Sequence, residues 1–256
     1  MQRKILLLSL MLLLVTSPAS AAFVNGGFEN GHFTGWTQGA GYWYGGWPLN
    51  PTDYLPGGSK YNIGANKSAV VSPGLDPRTG NKLNMVYSGN YAARVNDSVN
   101  DYTVSVISQT VSNWTDSHIY FAWAAVLEES HGVTDSDNFI LKLTDDTLGT
   151  DLYYRAYNSA NTPAYDPVLN PQGFHKTGAW YWTDWVVEDL DTTANIGHDL
   201  TLTLLGSDCP YGGHAGYVYL DGFGAAPPVI PLPSTLLLLG SGLAGLLGYA
   251  RMRFNK

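Results

Sequence analysis

Cysteine is almost absent: Cys209 is the only one in 256 residues. An intrachain disulfide or a multi-cysteine metal site is therefore excluded, and the lone sulfur is expected to be buried and inert. Charge is also scarce, at 13% of residues, and positive charge is the scarcer sign. Five of the 13 basic residues (Arg3, Lys4, Arg251, Arg253 and Lys256) lie at the chain ends. The region between carries eight against 21 acidic residues, a formal charge of −13. Such a surface repels phosphate, which excludes nucleic acid as a partner. Catalytic motifs are missing as well: no G-x-S-x-G, no H-E-x-x-H and no Cys/His cluster in sequence, with the six histidines scattered.

Long apolar runs occur only at the two ends. The first, Ile5 to Val15, follows Arg3-Lys4 and precedes Ala19-Ser-Ala21. A charged start, a short apolar stretch and an A-x-A site predict a signal peptide over 1–22; the run is too short, and wrongly flanked, for a membrane helix. The second, Thr235 to Ala250, is followed by a basic tail, 251–256, with no acidic residue. It lacks a polar face, and Leu232 with some bilayer thinning can close the gap to a full span, so a single transmembrane helix over 235–250 is expected. The positive-inside bias puts the tail in the cytoplasm and the large middle region, 23–226, outside. Gly240-Ser-Gly242-Leu-Ala-Gly245 fits a dinucleotide fingerprint by letters alone, without the strand and the acidic residue that such a site needs.

Strand signals dominate between the ends. Ile119, Phe121, Trp123, Ala125 and Leu127 alternate with Tyr120, Ala122, Ala124 and Val126, which predicts a strand buried on both faces. Phe139, Leu141 and Leu143 alternate with polar residues, as do Leu202 and Leu204, while Val218 and Leu220 oppose Tyr217, Tyr219 and Asp221. Gly, Asn, Asp and Pro clusters separate the runs, so an all-β antiparallel sandwich is expected. Gly39 to Gly64 reads as a long loop, and 227–234 as a Pro-rich linker.

Aromatics are the strongest ligand-facing signal. Trp43, Tyr44 and Trp47 sit in the Gly-rich loop, and Trp180 and Trp182 form a second group. Flat rings stack on the apolar faces of sugars, so these five are candidate carbohydrate-binding residues; the competing reading packs them as core, as expected for Trp36 and Trp123. Glu128-Glu129 and Glu188-Asp189 are the acid pairs that a glycoside hydrolase would require, if a cleft separated their carboxyl groups.

Two resemblances follow. Pro231-Leu-Pro233-Ser234-Thr, then the Leu/Gly helix, then Arg251 and Arg253, resembles the PEP-CTERM sorting signal of Gram-negative bacteria. Leu232 stands where that family usually has Glu. The resemblance implies an exosortase-type membrane protease as partner and a final place at the cell surface or in the extracellular matrix. Separately, Phe23-Val-Asn-Gly-Gly-Phe-Glu29, Phe33-Thr-Gly-Trp36, Gly89-Asn-Tyr-Ala-Ala-Arg94, Ile107-Ser-Gln-Thr-Val111, Tyr120-Phe-Ala-Trp123 and Gly212 to Asp221 resemble, in order, jelly-roll modules of the galactose-binding and carbohydrate-binding-module type. That likeness implies a jelly-roll β-sandwich and a structural Ca²⁺ held by Glu29 and Asp221, with backbone carbonyls near Asn25. The function it implies is non-enzymatic binding of polysaccharide, such as exopolysaccharide. A Ca²⁺-stabilised coat protein without a small ligand and a glycoside hydrolase remain as alternatives.

Overall fold

The computed structural model describes residues 22–162, 173–224 and 226–227. The signal peptide, the helix over 235–250 and the sorting residues Pro231, Pro233, Ser234, Arg251 and Arg253 lie outside the described residues. Among the described residues no helix is long and apolar enough to cross a membrane.

Among the described residues, twelve strands form two antiparallel sheets. The first holds β1 (Thr37–Tyr42), β4 (Thr103–Val111), β11 (Leu200–Ser207), β6 (Asn138–Asp145) and β7 (Thr150–Asn158), in the order β1-β4-β11-β6-β7. The second runs β2 (Ala69–Val71), β3 (Ala92–Val95), β12 (Gly216–Gly224), β5 (His118–Glu128), β9 (Trp180–Trp182) and β8 (His175–Thr177). β10 (Val186–Asp191) pairs with the first half of β5, and β9 with its last three residues. Without the short strands β2, β8 and β9 and the edge strand β1, the sheets reduce to β3-β12-β5-β10 and β4-β11-β6-β7. Successive strands then cross mostly from one sheet to the other, which is the eight-stranded jelly roll.

The period-two pattern decides which side chains fill the middle. Ile119, Phe121, Trp123 and Leu127 of β5 face Phe139, Leu141 and Leu143 of β6 and Leu202 and Leu204 of β11 in the main core. Trp36, Phe28, Phe23 and Phe223 close one end by ring contacts of 4.2–6.0 Å. Each large apolar side chain so buried contributes about 1.5–3 kcal/mol before entropy is subtracted.

Part of each outer face is covered by chain. On the first sheet, Trp43, Leu49 and Tyr54 pack on Val104, Val106, Ile140 and Leu205. Gly39 and Gly41 allow this, because a Cβ on either would lie 2.4 Å from the Tyr54 carbonyl oxygen or 2.2 Å from that of Lys60. The loop expected over Gly39 to Gly64 therefore starts later: its first residues belong to β1. On the second sheet, the segment 74–85 folds back on itself through Asp76 N–H to Leu83 O and Met85 N–H to Gly74 O. It lays Leu83 against Ala124, Val126, Trp180, Trp182, Tyr217 and Tyr219. Asp76, buried beneath it, accepts the hydroxyls of Tyr217 and Tyr219 at 2.8 Å each.

Candidate functional site

The two covers decide what the aromatic candidates can touch. Trp43 is 1% exposed and its indole Nε1 has no hydrogen-bond partner, so it is core and not a stacking surface. Trp180 and Trp182 are likewise buried; Arg78 of the 74–85 segment lies over the Trp180 ring at 5.0 Å, and Trp182 Nε1 donates to Thr177. Trp47 is half-buried against the Trp43 cluster. Only Tyr44 of the five stands in solvent, at 71%. Period two explains the split, since Trp43 points onto the sheet and its neighbour points away.

Tyr44 is the centre of a ridge that no single stretch of sequence contains. Its ring lies 6.3 Å from Tyr42, nearly parallel, and 5.2 Å from Tyr102. Tyr42 ends β1, and Tyr102, with a left-handed φ of 67°, precedes β4 directly opposite. The Tyr102 ring rests in turn on Gly212, where a Cβ would meet the ring at 2.3 Å and where φ is +68°. Only glycine satisfies both demands. The next side chain, Tyr211, is 61% exposed. The exposed amide of Asn100 is tied to this same turn through Gly213 O at 3.0 Å. The result is a row of phenol rings at one end of the sandwich with amide and hydroxyl groups beside it. Such rings offer apolar faces at a low cost in side-chain entropy.

At a separate place, Glu29 and Asp221 come together. Their carboxylates flank Gly27, whose added Cβ would sit 3.7 Å from Asp221 Oδ1 and 3.8 Å from Glu29 Cγ. Both hold the approach to β3. Glu29 accepts the N–H groups of Asn90 and Tyr91 at 3.0–3.2 Å, and Asp221 Oδ2 those of Tyr87 and Ser88 at 3.0 and 2.8 Å. Asp221 is 1% exposed and its Oδ1 has no donor. Burial pushes its carboxyl up to about 7 against the opposing N–H bonds, and the Glu29 charge adds to the rise. An orphaned oxygen beside a second carboxylate is a donor set that suits a hard divalent cation such as Ca²⁺. The carbonyl of Asn25 is not part of it: that oxygen accepts from Phe28 N–H and from Trp36 Nε1.

The acid pairs do not share a cleft. Glu188 faces inward to Tyr153 and Trp123, while Asp189 faces outward to His118, as neighbours on a strand must. Glu128 accepts the Ala215 N–H and Glu129 pairs with Lys176. The turn that leads into β6 at Asn138 is drawn inside: Asp137 and Asn138 are fully buried. Sequence reasoning also missed Tyr102 and Tyr211. Their one legible signal was the proximity of each to a glycine-rich or Asn/Asp-rich turn.

Fold and site together define an antiparallel jelly roll with covered faces, an exposed tyrosine ridge at one end and a carboxylate pair elsewhere. No protein-family model and no curated protein matches the chain. Among solved structures it is similar to TmCBM61 in complex with beta-1,4-galactotriose, at 14% identity and a TM-score of 0.41, over 80% of this chain and 97% of that one. It is also similar to a xylan-binding domain from CBM 22 (14% identity, TM-score 0.33, 84% and 100% covered). A third is the Caldicellulosiruptor saccharolyticus CBM27-1 solved with mannohexaose (13% identity, TM-score 0.34, 64% and 84% covered).

Proposed function

We propose that this is an exported, non-enzymatic surface or matrix protein whose jelly roll binds polysaccharide, the cell's own exopolysaccharide included. The observation that carries the reading is the row formed by the exposed Tyr42 and Tyr44 with the half-buried Tyr102, continued by the exposed Tyr211. Exposed rings held on a rigid scaffold are a binding surface with little left to order on association. The acid pairs support a non-catalytic role, because neither is placed to act across a bound chain. Export by the signal peptide, anchoring by the 235–250 helix and processing by an exosortase-type protease at Pro231–Ser234 belong to the same reading and rest on the sequence pattern.

Affinity electrophoresis through gels containing single polysaccharides tests the binding. Retardation in at least one gel, lost in a Tyr42→Ala/Tyr44→Ala variant that melts as the parent does, is the expected result. Equal mobility in every gel, or retardation that survives the double substitution, would remove the ridge as the site. A second reading, a Ca²⁺-stabilised coat protein without a small ligand, is favoured by the orphaned Asp221 Oδ1. It predicts no retardation at all, together with a melting temperature that falls on chelation.

A further inference from the structure

The turn that carries Tyr211 also carries the only cysteine, and the fold brings two histidines to it. Cys209 Sγ lies 3.7 Å from His214 Nδ1, and the candidate ligand atoms of Cys209, His214 and His131 all lie within 4.8 Å of one another. His131 comes from the loop between β5 and β6, far from the other two in sequence, and its ring meets those of His214 and Tyr211 edge to face at 4.8 and 4.9 Å.

We propose that Cys209, His214 and His131 form a binding site for a borderline transition-metal ion of the zinc class, with one coordination position left open. Zn–S near 2.3 Å and Zn–N near 2.0–2.1 Å in a tetrahedron require a sulfur-to-nitrogen edge of about 3.5 Å, close to the separation present. The hardness of the donors separates this site from the carboxylate pair: thiolate and imidazole select zinc-like ions, carboxylates select Ca²⁺. The turn is built around the sulfur. Cys209 N–H donates to the His214 carbonyl at 2.9 Å, and Gly213 N–H points at Cys209 Sγ at 3.4 Å, which fixes the direction of the sulfur. The buried Cys209 and half-buried His214 make the fixed part, while His131 is exposed and can swing onto an ion by side-chain rotation.

Two further groups fit the assignment. Ser130 Oγ, 3.0 Å from His214 Nδ1, contacts the same nitrogen and would yield it to the ion. Asp137 is fully buried and its Oδ2 has no partner, a lone polar oxygen that a cation in this turn would compensate. Because His131 and Tyr211 are in ring contact, an ion here would stiffen the far end of the tyrosine ridge.

The test uses the untagged full-length chain and Co²⁺ as a spectroscopic stand-in, followed by displacement with Zn²⁺. One equivalent should bind, with a thiolate-to-cobalt charge-transfer band in the near ultraviolet and visible bands of tetrahedral intensity. Excess Ca²⁺ should not displace it. His131→Ala, at an exposed position, should leave the melt unchanged and weaken the affinity at least tenfold. Cys209→Ser should abolish the charge-transfer band, and Asp221→Asn should not alter it. Absence of the band, or binding that His131→Ala and His214→Ala both leave intact, overturns the site.

Discussion

Replacing Asp221 by Asn isolates one buried carboxylate whose second oxygen lacks a donor. In the fold its carboxyl is pushed by burial from 3.8 to about 7, a rise that corresponds to about 4 kcal/mol of differential stability. The folded value is raised, so this contribution is complete below about pH 4 and is lost as pH climbs through about 7. Chelated protein should therefore weaken by up to about 4 kcal/mol from this group between pH 4 and pH 8. Asp208, also raised by burial, titrates in the same direction, so Asp221→Asn should flatten the profile without levelling it. Ca²⁺ changes the outcome, because the ion compensates the charge. At 100 times its dissociation constant it should return about 2.7 kcal/mol to the parent at pH 8 and nothing to the variant. Urea unfolding of both proteins at pH 5 and pH 8, in EDTA and in Ca²⁺, gives all four differences. Identical pH profiles for parent and variant, with no calcium effect at pH 8, would refute both the buried charge and the metal.

Three further outcomes follow from the covered faces and the chain end. Trp43→Ala should cost about 3–5 kcal/mol, whereas Trp43→Phe should cost much less, because it also removes the unpaired indole N–H; equal losses in denaturant melts would contradict the packing. Asp76→Ala leaves two buried phenols unpaired and should cost about 3 kcal/mol or more, with limited proteolysis appearing first within 74–85. Cleavage elsewhere would show that this carboxylate does not hold the cover. Removing 231–256 should move the expressed protein from the membrane fraction to the soluble one; a full-length chain already soluble would rule out anchoring.

The strands were legible because their periodicity is local. Ile119 to Leu127 and the Leu202/Leu204 and Val218/Leu220 pairs face the side that alternation assigns. What covers the outer faces was not legible. Trp43 and Tyr44 are equally aromatic and adjacent, and only the return of the chain at Leu49 and Tyr54 makes one core and leaves the other in water. Trp180 and Trp182 were open to the same ambiguity, resolved by Leu83 and Arg78 arriving from a distant segment. The meeting of Glu29 with Asp221 was anticipated through the family likeness, which matched first and last strands. The meeting of His131 with Cys209 was not, since no spacing rule links a loop after β5 to a turn before β12.

The covers over the two sheets have a mechanical meaning. A jelly roll with a bare sheet can lay a long polymer along its strands and hold it by many weak contacts. Here that broad surface is occupied by the protein's own chain, pegged down by Asp76 on one side and seated on Gly39 and Gly41 on the other. The exposed tyrosine row at one end of the sandwich is a few rings wide. If the ridge is the binding surface proposed above, a single copy would grip only a short stretch or a terminus of a polymer, and firm attachment would need many copies, each engaging one point.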